Sequence, residues 1–293
     1  MKKVSPNIFI VIPCFNNLDV LKKSIPAIYS DKLSIVVFDD GSSDGTGEWL
    51  KNNYPKITRI EGDGSNWWTG SLKKAIDYCL ALNCDYIVSL NADVVISPNV
   101  VSKLLICSKD NNNAIVASLV VDIKKPTTIL WSGSKFDKIH RLIPIFSSKY
   151  FFKAGQSSSE VGINPYTVDE VHGRGVLIPT SVINLLGNYD SYTFPHYGGD
   201  TDFSFRAKAA GVKMIVNPAC KAKVYTENTS LNKKLKGPLS AKFVSIRNYL
   251  FDRKSGEAAY VWWNLYRKHL PLRYFFQSYL FVIALNIYRR LSN

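Results

Sequence analysis

Several familiar signals are missing from this 293-residue chain, and each absence excludes something. The five cysteines, Cys14, Cys79, Cys84, Cys107 and Cys220, are odd in number, scattered, and include no CxxC pair. That excludes a disulfide framework and a cysteine zinc site, and reads as reduced, cytoplasmic thiols. The start, MKK, leads into an apolar run of only Ile8 to Ile12 before Pro13, too short for a signal peptide and suited to a first buried strand. Internal repeats and low-complexity tracts are missing. No helix-turn-helix, RNA-recognition or zinc pattern accompanies the +14 net charge, so no nucleic-acid partner is expected.

What is present is a globular composition, 46% hydrophobic and 20% charged, enough for one large core or a core with an appendage. The charge is unevenly spread. Residues 231–293 hold twelve Lys or Arg against Asp252 and Glu257, a net of +10, leaving only +4 for the first 230. We therefore divide the chain into a domain over 1–230 and a basic, aromatic helical tail over 231–293. A charge gathered in one segment suits an acidic partner, or else a solvated helical face.

In the first domain short apolar runs alternate with helical patterns. Ile8–Ile12, Ile35–Phe38, Ile57–Ile60, Tyr86–Leu90 and Ala114–Val121 read as strands. Leu18–Tyr29, Asp44–Asn53, Ser71–Leu82 and Asn99–Cys107 read as helices, the last introduced by Ser97-Pro98. Further strands are expected within Ile129–Phe136 and at Val168–Val171, Val176–Ile178 and Lys213–Val216, and helices at Ser181–Leu186 and Thr201–Ala210. Such alternation predicts an α/β fold, a mostly parallel central sheet with helices on both faces, plus the C-terminal helical tail. Ligands bind such sheets at the carboxyl ends of the strands. Two of those ends are acidic, Asp39-Asp40 and Asp93, whereas Asp44 is explained as a helix cap.

Four stretches, in order, carry a resemblance: Val11-Ile12-Pro13-Cys14-Phe15-Asn16, Val37-Phe38-Asp39-Asp40-Gly41-Ser42-Ser43-Asp44-Gly45-Thr46, Leu90-Asn91-Ala92-Asp93, and Gly199-Asp200-Thr201-Asp202-Phe203-Ser204-Phe205-Arg206 with Ala210-Gly211. Over about Ile8 to Thr226 the chain resembles family 2 glycosyltransferases of the GT-A nucleotide-diphospho-sugar transferase fold. The resemblance implies inverting transfer of a sugar from a nucleotide-diphosphate donor, with Mg2+ or Mn2+, to a hydroxyl of a glycan or lipid-linked acceptor.

The resemblance also implies roles. Asp93 matches the last residue of the family's DXD motif and is assigned to the metal; Asn91 stands where many members have the first Asp and suits a ribose hydroxyl better than a cation. Asp40 matches the residue that accepts a hydrogen bond from the pyrimidine ring NH, Asp39 supports the loop or the ribose, and Pro13, Phe15 and Asn16 line the other side of the nucleotide. Asp200 matches the second residue of a Glu-Asp pair whose Glu is Gly199 here, and is the candidate base that takes the acceptor's proton. Its rival, Asp202, lies four residues before Arg206, where an ion pair explains it without catalysis.

Elementary chemistry supports part of this. A leaving nucleotide diphosphate carries growing negative charge, which a divalent cation on few carboxylates stabilises. Arg174, in the glycine-rich turn His172-Gly173-Arg174-Gly175, suits a phosphate; His172 reads equally as a buried, satisfied histidine. The amides of Thr69 to Ser71 and the ammonium of Lys73, near a helix start, suit the diphosphate, unless Trp67 and Trp68 only pack the loop. Asn66-Trp67-Trp68-Thr69-Gly70-Ser71 is similar to a segment of bacterial rhamnosyl-type transferases, which points to surface-polysaccharide (O-antigen or capsule) synthesis. Two alternatives stand beside the transferase: a catalytically inactive relative acting as a scaffold, and a nucleotidyltransferase, although the first turn, Pro13–Asn17, has neither Gly nor Lys.

In the tail, Leu239, Phe243, Ile246 and Leu250 form one stripe, and Tyr274–Tyr288 is mostly apolar between Arg273 and Arg289-Arg290. Fifteen residues are short for a span. Basic and aromatic residues together predict an interfacial helix on an anionic membrane surface, placing the protein peripherally on the inner face of the cell membrane. The other uses of such helices are packing on the domain and homo-oligomer formation.

Overall fold

The computed structural model describes residues 6–139, 145–225, 239–251 and 258–292. The domain boundary expected at 230/231 and the residues Thr226-Glu227 lie outside the described residues. In chain order the elements are β1 (Ile8–Cys14), α1 (Leu18–Ile28), β2 (Ser34–Asp39), α2 (Thr46–Asn53), β3 (Thr58–Glu61), α3 (Trp67–Ala81), β4 (Tyr86–Leu90), β5 (Val94–Val95), α4 (Pro98–Asp110) and β6 (Ile115–Asp122). There follow β7 (Ile129–Trp131), β8 (Ser134–Ile139), β9 (Ile145–Tyr150), β10 (Tyr166–Val168), β11 (Arg174–Pro179), α5 (Thr180–Leu186), α6 (Gly199–Ala209) and β12 (Met214–Val224). The tail contributes α7 (Leu239–Phe251), α8 (Ala259–His269) and α9 (Leu272–Ser292).

The central sheet runs β10-β12-β6-β11-β4-β1-β2-β3, with β5 on β12 and β7 on β6. β3, β2, β1 and β4 pair in parallel, as do β6 and β12; β11 runs antiparallel between β4 and β6, and β10 and β5 pair antiparallel with β12 and β7 with β6. This arrangement positions the site. The carboxyl ends of β1, β2 and β4 share one edge with the amino end of β11, so Arg174 opens next to the residues that close the parallel strands. The strands β1, β2, β4 and β6 are apolar because both faces are covered, and Ile10, Val36, Val88 and Val116 are fully buried in one continuous core.

Several boundaries differ from the sequence reading. α3 begins at Trp67, four residues earlier than expected, because Asp40 accepts from the amides of Asn66 (3.0 Å) and Trp67 (2.9 Å) at its start. The region 129–136 is two strands, broken at Gly133 with φ +79°; a Cβ there would meet Val168 at 2.4 Å. β12 extends to Val224 rather than stopping at Val216, resuming its pairing with β6 after a bulge between Asn217 and Lys221.

The tail packs on the domain. Phe146, Phe194, Val261, Leu265, Tyr266 and Phe275 form a second apolar cluster joining the β8–β9 hairpin and the loop before α6 to α8 and α9. Gly198, at φ +88°, lets this contact close: a Cβ would lie 2.8 Å from both Phe194 and Val261. Ser278 Oγ accepts from the Phe146 amide at 2.8 Å.

Candidate active site

The site grows from three turns at the carboxyl edge. After β1, Asn16 adopts φ +50° and laces to the turn after β2: its Oδ1 accepts from Ser43 N (2.8 Å) and its amide donates to Ser42 Oγ (2.9 Å). Asp44 accepts from Leu18 N (2.8 Å) and from Thr46 Oγ1 (2.6 Å), tying both turns to α1 and α2. Pro13 is buried, whereas the Phe15 ring stands 53% exposed above the edge.

The two acids closing β2 point into different partners. Asp39, fully buried, takes a two-point contact from Arg59 of β3, Nε at 2.9 Å and Nη2 at 2.8 Å, and accepts from Ser42 N at 3.0 Å. Asp40 carries four hydrogen bonds: Gly64 N (3.1 Å) and Asn66 Nδ2 (2.7 Å) on Oδ1, Asn66 N (3.0 Å) and Trp67 N (2.9 Å) on Oδ2. Two carboxylate oxygens offer about four acceptor positions, so a pyrimidine NH would have to displace one of these donors. The same bonds hold Trp67 at φ +56°, a conformation bulky residues rarely adopt.

Gly173 is the centre of the second half. Its amide donates to Asp200 Oδ2 at 3.1 Å, its carbonyl accepts from Asn91 N at 3.1 Å, and a Cβ on it would strike Trp68 at 2.7 Å. Trp68 Nε1 in turn donates to Asn91 Oδ1 at 3.0 Å. The strand end at Asn91, the indole of Trp68 and the start of α6 thus meet on one glycine. Arg174, the next residue, acts electrostatically on both Asp93 and Asp200. Burial raises the Asp93 carboxyl above its usual range, with Arg174 opposing.

Asp200 lies in the first turn of α6. Burial pushes its carboxyl up to about 6, against the lowering effects of His172, the Gly173 amide and Arg174. Two residues on, Asp202 is fully buried and ion-paired: Arg206 Nε at 2.9 Å, Lys268 Nζ at 2.7 Å and His269 Nε2 at 2.8 Å. Burial acts upward on it too, but His269, Lys268 and Arg206 hold it down at about 2. The expected Asp202–Arg206 pair is therefore present, and two tail residues join it.

Not every candidate meets the others. Lys73 pairs with Asp77 at 2.7 Å on an exposed flank of α3. Thr69, Gly70 and Ser71 are buried within α3, and the Thr69 amide is taken by Pro195 O at 3.0 Å. Sequence reading missed Arg59, Glu170 and Tyr189. The only local signal for Arg59 was a cation in a short strand, two residues before Glu61, with which it also pairs at 3.3 Å.

A divalent cation can be tested against these side chains. No described residue other than Asp93 itself hydrogen-bonds the Asp93 carboxylate, and among the described residues no three His, Cys, Asp or Glu are placed so that they could hold a metal ion. One open carboxylate suits Mg2+ or Mn2+ that takes its remaining ligands from a diphosphate and water, and does not suit a cage built from protein alone.

The sheet order, with one reversed strand beside the site, is that of the GT-A glycosyltransferase fold. The chain is similar to a solved structure described as GalNAc-T7 with UDP, GalNAc and Mn2+, at a TM-score of 0.56 and 13% identity, over 98% of this chain and 54% of that one. This chain thus spans about half the length of that structure's chain. The sequence profile of glycosyl transferase family 2 matches residues 9–167, and the chain belongs to that family. No curated protein matches it.

Proposed function

We propose that the protein transfers a sugar from a nucleotide-diphosphate donor to a hydroxyl of a glycan or lipid-linked acceptor, with inversion. The observation that carries this reading is that Asp93 and Asp200 both lie within the field of Arg174 at the carboxyl edge, with Gly173 bonded to Asn91 on one side and Asp200 on the other. The acceptor oxygen attacks the anomeric carbon as the bond to the diphosphate oxygen breaks. Asp200 takes the hydroxyl proton, and the nucleoside diphosphate leaves with the bonding electrons. Arg174 faces the leaving diphosphate, where a guanidinium pairs two oxygens at once. Asp93 would hold a divalent cation, which supplies charge stabilisation to the diphosphate. The nucleotide lies over the ends of β1 and β2, with the Phe15 ring beneath the base and the base NH exchanging for Asn66 Nδ2 on Asp40. Asp39 supports that loop through Ser42 and Arg59. Asn91, its Oδ1 already engaged, offers its amide to the ribose.

The acceptor belongs to surface-polysaccharide synthesis on this reading, and the tail brings the site to an anionic membrane. Leu272, Phe276, Leu280, Tyr288 and Leu291 are exposed along α9, which also carries Arg273, Arg289 and Arg290. No helix among the described residues is long and apolar enough to cross a membrane; on this reading α9 lies in the interface.

The test is donor turnover. The purified chain is incubated with a panel of nucleotide sugars, with and without Mn2+, beside Asp93→Ala and Asp200→Ala. Release of one nucleoside diphosphate, metal-stimulated and lost in Asp93→Ala, supports the reading and names the donor. A folded protein that neither binds nor turns over any nucleotide sugar, even with a membrane extract present, refutes it and leaves a scaffold. Retention of anomeric configuration refutes the mechanism. Flotation with vesicles containing anionic lipid, reduced by Phe276→Ser and Leu280→Ser, tests the tail; self-association without lipid binding would assign that face to a second copy instead.

A further inference from the structure

The first helical residue of α6 is Gly199, and it has no room for a side chain: a Cβ would lie 2.8 Å from both Oγ1 and Cγ2 of Thr69. A second carboxylate nevertheless reaches this helix start. Glu170, in the loop between β10 and β11, is 7% exposed and accepts from Thr201 Oγ1 at 2.8 Å, one residue past Asp200. Its Oε1 also lies 3.4 Å from His172 Nε2, and Oε2 accepts from Ser148 Oγ at 3.4 Å. The His172 ring is fixed from its other side, stacked on Trp131 of β7 at 4.8 Å between centroids and 24° between planes. His172 directly precedes Gly173, whose amide binds Asp200.

We propose that Glu170 and His172 form a positioning pair for the base, in which Glu170, anchored on Thr201, holds the stacked imidazole as a cation beside the Asp200 carboxylate. The proposal rests on the reading of Asp200 as the base. A buried acid left to itself stays protonated at neutral pH and cannot accept a proton. A fixed cation nearby corrects this without donating to the acid directly.

The charges facing the pair come from every side. His172 faces Glu170, Asp200 and Arg174; burial acts to lower it, but the Glu170 hydrogen bond and charge, with Asp200, raise it above its usual value. Burial acts to raise Glu170, but the His172 hydrogen bond and charge, Thr201 and Ser134 outweigh it and bring Glu170 below its usual range. Tyr150 of β9 and Tyr266 of α8 also face Glu170; burial raises both phenols, so they stay neutral near pH 7. Tyr189 faces Asp200 and is likewise held neutral by burial. Arg174 adds a second cation on Asp200, weaker there than His172. The acid nearest His172 is therefore Glu170, and its removal discharges the ring.

The experiment is an NMR titration of the histidine rings of the full chain, with His172 assigned by its loss in His172→Gln, beside the pH profile of donor turnover. Wild-type His172 is expected to titrate above 6.5. In Glu170→Gln, which keeps an acceptor for Thr201, its midpoint should fall by about one unit or more. The acidic limb of turnover should move upward in Glu170→Gln and in His172→Gln, while Glu170→Asp retains part of the effect. A His172 midpoint unchanged by Glu170→Gln overturns the pair. A midpoint that falls while the acidic limb stays put overturns the positioning role. Wild-type turnover in Asp200→Asn shows that the base reading has failed, which the NMR result keeps distinct.

Discussion

Replacing Asp200 by Asn should remove the proposed base and stabilise the fold in the same step. The carboxyl titrates at about 6 in the folded chain against 3.8 for an unperturbed one, so ionising it is harder in the folded state. For a group raised in this way, the contribution to stability is fully present below pH 3.8 and is lost as the pH rises through about 6. Two units correspond to about 3 kcal/mol lost at pH 8, an upper bound because Asn brings its own buried amide. Asp200→Asn carries no charge, so at pH 8 it should be more stable than wild type by roughly 1–3 kcal/mol. At pH 4 most of the gap should be gone. Urea unfolding of both proteins at the two pH values measures this, and turnover at pH 8 should fall by about 10²–10⁴-fold. A variant that is no more stable at pH 8, or equally stabilised at pH 4, would refute the burial argument. Turnover kept at pH 8 would refute the role.

Four further outcomes follow from the geometry. Turnover of the wild-type chain should rise with pH through about 6 as Asp200 deprotonates, read as the acidic limb of kcat/KM. Asp202→Ala leaves Arg206, Lys268 and His269 without their shared anion and should cost about 3–5 kcal/mol in urea unfolding, with proteolysis of the tail accelerated. Gly199→Glu must displace Thr69 and should destabilise by about 1–3 kcal/mol, measured by the same method. All five cysteines are buried, and burial pushes Cys79 and Cys220 up to about 12, so a thiol reagent should label none of them until the chain unfolds.

The alternating strands and helices were legible because the signal is local: continuous apolar runs for strands covered on both faces, and apolar residues at helical spacing for the helices. The acidic strand ends were legible for the same reason: β2 and β4 end where the apolar run ends. What was not legible depends on partners distant in sequence. α3 starts at Trp67 because Asp40 caps it from 27 residues upstream. Trp67 at positive φ offers no propensity signal for a helix start. β12 continues past Pro218 because β6 provides a partner for both of its halves, across a bulge that breaks the period. Asp39 could be read as a ligand for the loop or the ribose; only the register of β2 with β3 brings Arg59 to it. The tail's apolar residues were plain, yet nothing local showed which of them face the domain, as Leu265 and Tyr266 do, and which remain exposed, as Phe276 and Leu280 do.

Asp200 and Asp202 show how such distant partners divide labour. Both are carboxylates in the first turn of one helix, Asp202 buried and Asp200 half-buried, and the helix start favours negative charge on each alike. Their separation to about 6 and about 2 must come from what surrounds them. Asp202 faces the tail, where Lys268 and His269 arrive from α8 and make it an anion at any ordinary pH. A carboxylate so tightly paired is a poor proton acceptor. Asp200 faces the strand edge, where the nearest cations, His172 and Arg174, act through charge and the Gly173 amide and the Tyr189 phenol hydrogen-bond it, so it can both ionise and take a proton back near pH 6. Neighbouring acids pushed apart in this way mark their roles. The tail, by engaging Asp202, leaves Asp200 as the carboxylate of this pair that suits the proposed base, so a variant that detaches α8 should disturb turnover even though no hydrogen bond or ion pair joins a described tail residue to Asp200.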